Sequence, residues 1–505
     1  MPVHFKCCIH ARAGSALAII PNSITNADVI YSKIMTVHFN HAVQLFERRD
    51  FSGLLSYLGD DYSPVFLPLR VQVCIALNQV EAMRLLLTRL ETLRLDVHVW
   101  VDISRRLHAA QWAEEACRAA LIAARIAPHN ATVLSNYGMI LRHCGHLSEA
   151  ADWLSQSLEL DPTQGEAQLI YAELAPGKSQ KSHIETIKQS LQQSPLPKEN
   201  AIALHYAVAR HYESLGEWGS VMHHLAEGSR LKRASFSYQI ERDERMLKAL
   251  SVQIEPKVST DFVPEPAQSQ PIFIVGLPRT GSSLLEARLA AMSGVRAGGE
   301  LPYLNDAIMQ QYREEIGAPP VSPEAFVQGV YGLNMNAIGR RYMTLSAHLQ
   351  SDSFFTDKLP INGLNIPLIR AALPDAQIIH LHRDDRAMGF ALYRQLFGRV
   401  YPYSYDLVEL GRYVRAYRQL MSQWQQKISG VHWLNYEVLV ADWDAQFSQL
   451  CVTIGLAEKQ KENANVHFSA TASASQIRAP IHQQASEPWR HVTAHLAPYL
   501  RQLGS

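Results

Sequence analysis

The sequence predicts an N-terminal α-solenoid of helix pairs followed by an α/β domain with a parallel sheet built around a phosphate-binding loop. Three observations predict it. Two windows of alternating large and small residues repeat at a 34-residue spacing. A short β-favouring run, Ile272 to Val275, leads through a Gly-Pro-rich turn into a helical stretch from Ser282 to Met292. Beyond it, apolar runs alternate with helical stretches, the texture of a parallel sheet. The expected division is a leader over 1–34, helical repeats over 35–250, a linker over 251–270 and the α/β domain over 271–505.

Length and composition bound the reading. At 505 residues the chain exceeds one core. Its 47 basic and 47 acidic residues cancel, so nothing favours a polyanion such as nucleic acid as partner. Cys7, Cys8, Cys74, Cys117, Cys144 and Cys451 form no CxxC pair and no ligand spacing. Neither a disulfide framework nor a metal site is expected, and reduced thiols point to the cytoplasm. No run of 18 apolar residues suggests a transmembrane helix. The patch from Ser15 to Pro21 behind Lys6 and Arg12 imitates a signal peptide but is short and lacks a cleavage site. Residues 1–34 are therefore expected to be a disordered leader or an over-extended start, with Met35 opening the helical pattern.

The repeat windows end at Pro128 and Pro162. Trp100, Ser104, Leu107, Ala116, Ala120 and Ala123 recur 34 residues later as Leu134, Gly138, Leu141, Ala150, Leu154 and Ser157. Large residues alternating with small ones let two antiparallel helices pack closely, which is the tetratricopeptide (TPR) pattern. Residues 36–95 keep helical periodicity without that signature, and 199–232 read as a helix–turn–helix around Gly216. Repeats bury their faces on neighbours, so roughly five or six helix pairs are expected, offering a protein or peptide a concave surface. The linker contains three prolines, polar filler and no period.

In the α/β domain the candidate strands are Ile272–Val275, Ala376–Leu381 and His432–Tyr436. Strand, Gly loop and helix together turn backbone N–H groups and a helix dipole onto a phosphate. The loop Gly276-Leu277-Pro278-Arg279-Thr280-Gly281-Ser282-Ser283 imitates a P-loop, with Ser282 where nucleotide triphosphatases place lysine. Losing that point charge disfavours a kinase or NTP hydrolase.

The string PRTGSSLL resembles the phosphosulfate loop of sulfotransferases that use 3′-phosphoadenylyl sulfate (PAPS). Together with Ala297-Gly298-Gly299-Glu300 it is similar to the tyrosylprotein sulfotransferases and the bacterial TPR-sulfotransferases. That resemblance covers roughly 270–500, and most of the chain once the helices before it are included. It implies that Arg279, Thr280, Gly281, Ser282 and Ser283 hold the phosphosulfate and that Glu300 removes the acceptor proton. It also implies that Lys358, in Asp357-Lys358-Leu359-Pro360, neutralises the leaving oxygen. Arg383 would contact the nucleotide 3′-phosphate, and Tyr436 of Tyr436-Glu437 would lie against adenine. Ser473, Gln476 and Arg478, in the string SASQIRAPI, would close over the nucleotide. No metal is implied. The chain departs from these families at Leu301-Pro302, where an arginine grips acidic tyrosine peptides, and at Ala391, Gln395 and Pro488. The function implied is sulfuryl transfer to a hydroxyl, on a peptide or protein tyrosine or another acceptor. The rival is a TPR scaffold whose sulfotransferase domain is degenerate and inactive.

Overall fold

A computed structural model describes residues 26–48, 50–77, 79–110, 112–175, 180–253, 255–256, 269–456 and 488–504. Contacts divide the chain into two compact units, one ending at Ile140 and the other beginning at Leu141.

The helical part runs α1 (Asn26–Glu47), α2 (Phe51–Leu58), α3 (Leu67–Ala76), α4 (Val80–Glu91), α5 (Val97–Ala109), α6 (Ala113–Ile126) and α7 (Ala131–Cys144). It continues with α8 (Leu147–Leu160), α9 (Gly165–Leu174), α10 (Gln180–Leu191), α11 (Lys198–Leu215), α12 (Trp218–Arg233) and α13 (Ile240–Val252). Helix α1 starts at Asn26, ahead of Met35, where the sequence periodicity becomes regular. The 34-residue spacing reappears in the helix starts, Val97 to Ala131 and Ala113 to Leu147. Trp100, Leu107, Ala116, Ala120 and Ala123 are buried, as are Leu134, Leu141, Ala150 and Leu154. Helix α11 ends at Gly216 in the left-handed conformation, a common helix stop. No helix among the described residues is long and apolar enough to cross a membrane.

The α/β part holds a five-stranded sheet of β1 (Gln270–Gly276), β2 (Val295–Arg296), β3 (Phe354–Asp357), β4 (Gln377–His382) and β5 (Val431–Asn435). The spatial order is β2-β3-β1-β4-β5 and every pairing is parallel. Central β1 registers Ile274 against Ile379 on β4 and Ile272 against Thr356 on β3. Its side chains alternate between two buried faces, which is why it reads as a continuous apolar run. Ile272 and Ile274 join Leu285, Leu289 and Leu450 on one face. Phe273 and Val275 join a larger core on the other, which extends to Ile202, Tyr206, Val221 and Leu225 of α11 and α12. The last helices before the linker thus share a core with the sheet.

Ion pairs reinforce that junction. The chain adds α14 (Ser282–Ala290), α15 (Tyr303–Glu315), α16 (Pro323–Tyr331), α17 (Met335–Leu345), α18 (Ile366–Ala372) and α19 (Asp385–Tyr393). Then come α20 (Leu407–Lys427), α21 (Tyr436–Ala441), α22 (Trp443–Thr453) and α23 (Ala497–Leu503). Arg233 of α12 grips Glu409 of α20 through two bonds of 2.7 Å, and Arg412 of α20 reaches Glu244 of α13 at 2.9 Å. Helix α20 begins behind Asp406, whose carboxylate caps Val408 and Glu409.

Buried histidines make this packing sensitive to acid. His211 and His224 are pushed from an ordinary value of 6.5 down to about 4, each by burial first. His183 and His205, respectively, then add to the shift. The unfolded chain takes up these protons near 6.5 while the folded chain resists until about 4, so stability is lost as pH falls through that interval. Melting temperature is expected to drop between pH 7 and 5 in the wild type, and to drop less in His211→Phe. Parallel pH profiles for the two proteins would contradict this.

Candidate active site

Because the sheet is parallel, the carboxyl end of every strand opens on one edge. The loop after β1 carries Arg279, the turn after β2 carries Glu300, and β3 ends immediately before Lys358. Arg383 follows β4 and Tyr436 follows β5. These candidates, scattered over more than 150 positions of sequence, emerge along a single sheet edge.

The phosphate loop is shaped by its backbone. Arg279 adopts a φ of 69°, a region that side chains other than glycine rarely occupy. Thr280 Oγ1 donates to Leu277 O at 2.8 Å and pins the turn. Gly281, at φ 96°, starts α14, and a Cβ there would stand 2.5 Å from the Tyr436 ring. Ser282 and Ser283 form the first turn of α14 and are buried. A first helical turn presents N–H groups with no acceptor inside the helix, so this corner is electropositive without any side chain.

Two arginines border it. Arg383 Nη1 donates to Arg279 O at 2.9 Å, and the Arg383 guanidinium lies 4.8 Å over the Tyr436 ring. Glu437 accepts from the Asp384 N–H at 3.0 Å, locking the start of α19 to the first turn of α21. The structure thus brings Arg279, Gly281, Arg383 and Tyr436 together. Burial pushes the Arg279 guanidinium down to about 9, and the cations of Arg394, Arg210 and Arg383 add to the effect. A bound anion would reverse that repulsion.

Lys358 and Glu300 form the second cluster. Lys358 Nζ donates to Glu300 Oε1 at 2.6 Å, and its side chain is 1% exposed against 41% for Glu300. An ammonium so deeply placed needs a carboxylate partner. The Lys358 N–H donates to Gly299 O at 2.8 Å, which fixes the Glu300 turn beside β3. Gly298 is required there, since a Cβ would collide with Thr356 O.

Glu286, which in sequence reads as one more helix acid, holds the two clusters together. Its Oε1 accepts from the Gly299 N–H at 2.9 Å and from Thr356 Oγ1 at 2.8 Å. Glu286 lies four residues after Ser282, about 6 Å along the axis of α14. The helix that closes the phosphate loop therefore also anchors the Glu300 turn. Burial raises the proton affinity of Glu286. Asp357, fully buried, is pushed well up by burial and accepts from Tyr342 Oη at 3.0 Å. The one available signal for Glu286 was its helical spacing from Ser282 and Ser283, which puts all three near one face.

Ser473, Gln476 and Arg478 lie outside the described residues. His380 is buried, bonded to the Tyr417 hydroxyl at 3.0 Å and pushed down to about 3 by burial. It is a neutral core ring, in keeping with a packing role. Ala391 is buried in α19 and offers no hydroxyl.

Residues 271–460 match the family model described as the sulfotransferase family. A protein of Aquifex aeolicus (strain VF5), described as uncharacterized, is 25% identical over 388 residues. That alignment covers 74% of this chain and 50% of the relative, so the chain spans about half the relative's length. Among solved structures, the sulfotransferase domain of the Synechococcus PCC 7002 olefin synthase is 19% identical, covering 49% of this chain and 97% of its own, with a TM-score of 0.35. The sulfotransferase domain from the curacin biosynthetic pathway is 16% identical, covering 46% and 98%, with a TM-score of 0.30.

Three substitutions at two positions test this geometry through stability. Glu286→Ala strands two donors and is expected to cost about 1–3 kcal/mol, whereas Glu286→Gln keeps an acceptor oxygen and costs less. Gly281→Ala adds a collision to an unfavourable φ and is expected to cost at least about 1 kcal/mol. Chemical denaturation measures all three, and equal stability of the two Glu286 variants would contradict the role given to its oxygen.

Proposed function

We propose that this protein transfers a sulfuryl group from PAPS to an acceptor hydroxyl. The observation that carries the reading is the attachment of both clusters to one helix: α14 closes the phosphate loop and, through Glu286, holds the turn bearing Glu300. An anion-binding corner and an acid–base pair are then neighbours, as an in-line transfer requires.

Each step uses a named group. The loop N–H groups, Ser282, Ser283 and Arg279 hold the donor's phosphosulfate. The acceptor oxygen attacks sulfur while its proton passes to the Glu300 carboxylate. The bond from sulfur to the bridging oxygen breaks, and its electron pair stays with the nucleotide phosphate. Lys358 meets the charge that develops there. An ammonium has three N–H donors, so the bond to Glu300 leaves two for the donor. Arg383 and Tyr436 take the nucleotide's far end in this reading, the ring of Tyr436 stacking on a base. A peptide or protein hydroxyl is the acceptor class that a helical-repeat surface would present. Supporting the whole is the sulfotransferase-family match over 271–460.

Calorimetric titration with 3′,5′-ADP, 5′-AMP and ATP tests the donor, with 3′,5′-ADP expected to bind tightest. Preference for ATP, or binding of none, would overturn the reading in favour of a kinase or a scaffold. With an acceptor in hand, Glu300→Gln is expected to lose about 10²–10⁴-fold in turnover while 3′,5′-ADP affinity holds. Arg279→Ala is expected to weaken donor binding itself.

A further inference from the structure

The turn that follows Lys358 reaches the entrance of the phosphate loop. Strand β3 ends at Asp357, opposite Phe273, while its neighbour β1 runs on to Gly276. A short 3₁₀ turn, Pro360–Asn365, packs beside those last residues of β1. Asn362 N donates to Leu359 O at 2.9 Å, and Asn362 Nδ2 donates to Asp357 Oδ1 at 3.3 Å. These bonds fold the turn back on the end of β3, directly around Lys358.

Gly363, buried in this turn, meets the loop. A Cβ on it would stand 2.8 Å from Tyr417 Oη, 3.4 Å from Gly276 N and 3.7 Å from Val275 Cβ. Gly363 has no positive φ, so its backbone would accept alanine and only space forbids one. Neither neighbour can yield. The Tyr417 ring is buried, and its hydroxyl is bonded to His380 at 3.0 Å. Gly276 is already pressed against β4, since a Cβ built on it would collide with Leu381 O. In so close-packed an interior, a side chain at position 363 would push the turn away from the loop.

We infer that Gly363 is a positioning residue: its missing side chain lets the turn seat against Gly276, and that seat sets the spacing between Lys358 and the phosphate loop. The inference rests on the donor reading above and concerns how that site is held. In that reading the loop grips the phosphosulfate while Lys358 meets charge on the bridging oxygen of the same group. Misplacing one by about 1 Å against the other is enough to cost an oriented reaction about a hundredfold. Gly363 acts only through Gly276 and Lys358.

The test is calorimetric titration of the full chain with two nucleotides. One is 3′,5′-ADP, which offers a 5′-phosphate to the loop and Lys358, and the other is 3′-AMP, which does not. Gly363→Ala is expected to lose about tenfold in 3′,5′-ADP affinity at unchanged stoichiometry, while 3′-AMP affinity changes by less than about threefold. Removing the obstructing oxygen reverses the effect: Gly363→Ala combined with Tyr417→Phe is expected to recover most of the loss. Thermal unfolding reports stability separately. A Gly363→Ala protein with a lower melting temperature but wild-type 3′,5′-ADP affinity would overturn the inference and leave the donor reading standing. Equal losses for both nucleotides, or a double variant no better than the single one, would do the same. Wild type that binds no 3′,5′-ADP would overturn both. Should Gly363→Ala fail to fold, Asn362→Ala releases the same turn from Asp357. It is expected to lose about threefold to tenfold for 3′,5′-ADP alone, and unchanged affinity in it would overturn the inference.

Discussion

The site depends on a sheet that is parallel throughout and buried on both faces. A parallel strand cannot be followed directly by its neighbour, so each return passes through a helix and each strand's carboxyl end faces the same edge. In this chain that constraint delivers Glu300, Lys358, Arg279, Arg383 and Tyr436 to one rim in the strand order β2-β3-β1-β4-β5. Packing on both faces holds the rim still. Phe273 and Val275 point one way, Ile272 and Ile274 the other, and none has exposed surface. Slipping β1 by one residue would exchange its two faces and move Gly276, and with it the phosphate loop, away from β4.

Charge on that rim is organised by burial. Lys358 is nearly inaccessible and its ammonium is matched by Glu300, so the proposed base and the proposed leaving-group cation hold each other in place before any ligand arrives. Glu286 fixes the same turn from the opposite side through a backbone N–H and a threonine hydroxyl. The cationic side is organised differently. Arg279, Arg383, Arg394 and Arg210 stand close enough to disfavour one another's charge, a condition a multiply charged anion relieves. The two halves of the site are thus unlike: in one an ammonium is paired with a carboxylate, and in the other like charges crowd together.

The helical segment is part of this arrangement. Ile202, Tyr206, Val221 and Leu225 pack into the core on one face of the sheet, and Arg233 and Arg412 pin α12, α13 and α20 to one another. Those helices share one core with Leu277 of the phosphate loop. The compact unit accordingly begins at Leu141, well ahead of the linker.

Local chemistry by itself determined several features. The apolar run of β1, the glycines and serines of the loop, the 34-residue spacing and the turn at Gly216 are each encoded by neighbouring residues, and each appears at the expected place. Strands β4 and β5 were legible for the same reason, with Tyr436 opening a helix rather than ending the strand. Two-residue β2 and four-residue β3 carry too little pattern to be read, and they become strands only because β1 supplies partners. Glu286 looks like any helix acid until the Gly299 turn folds over it. Arg210 lies 184 positions from Arg394, and no periodicity in either helix states that they meet. Sequence fixes which residues share a helix face or flank a turn, since those are separations of a few residues. Which faces then converge is decided by packing over the whole core, and only the tertiary structure decides that.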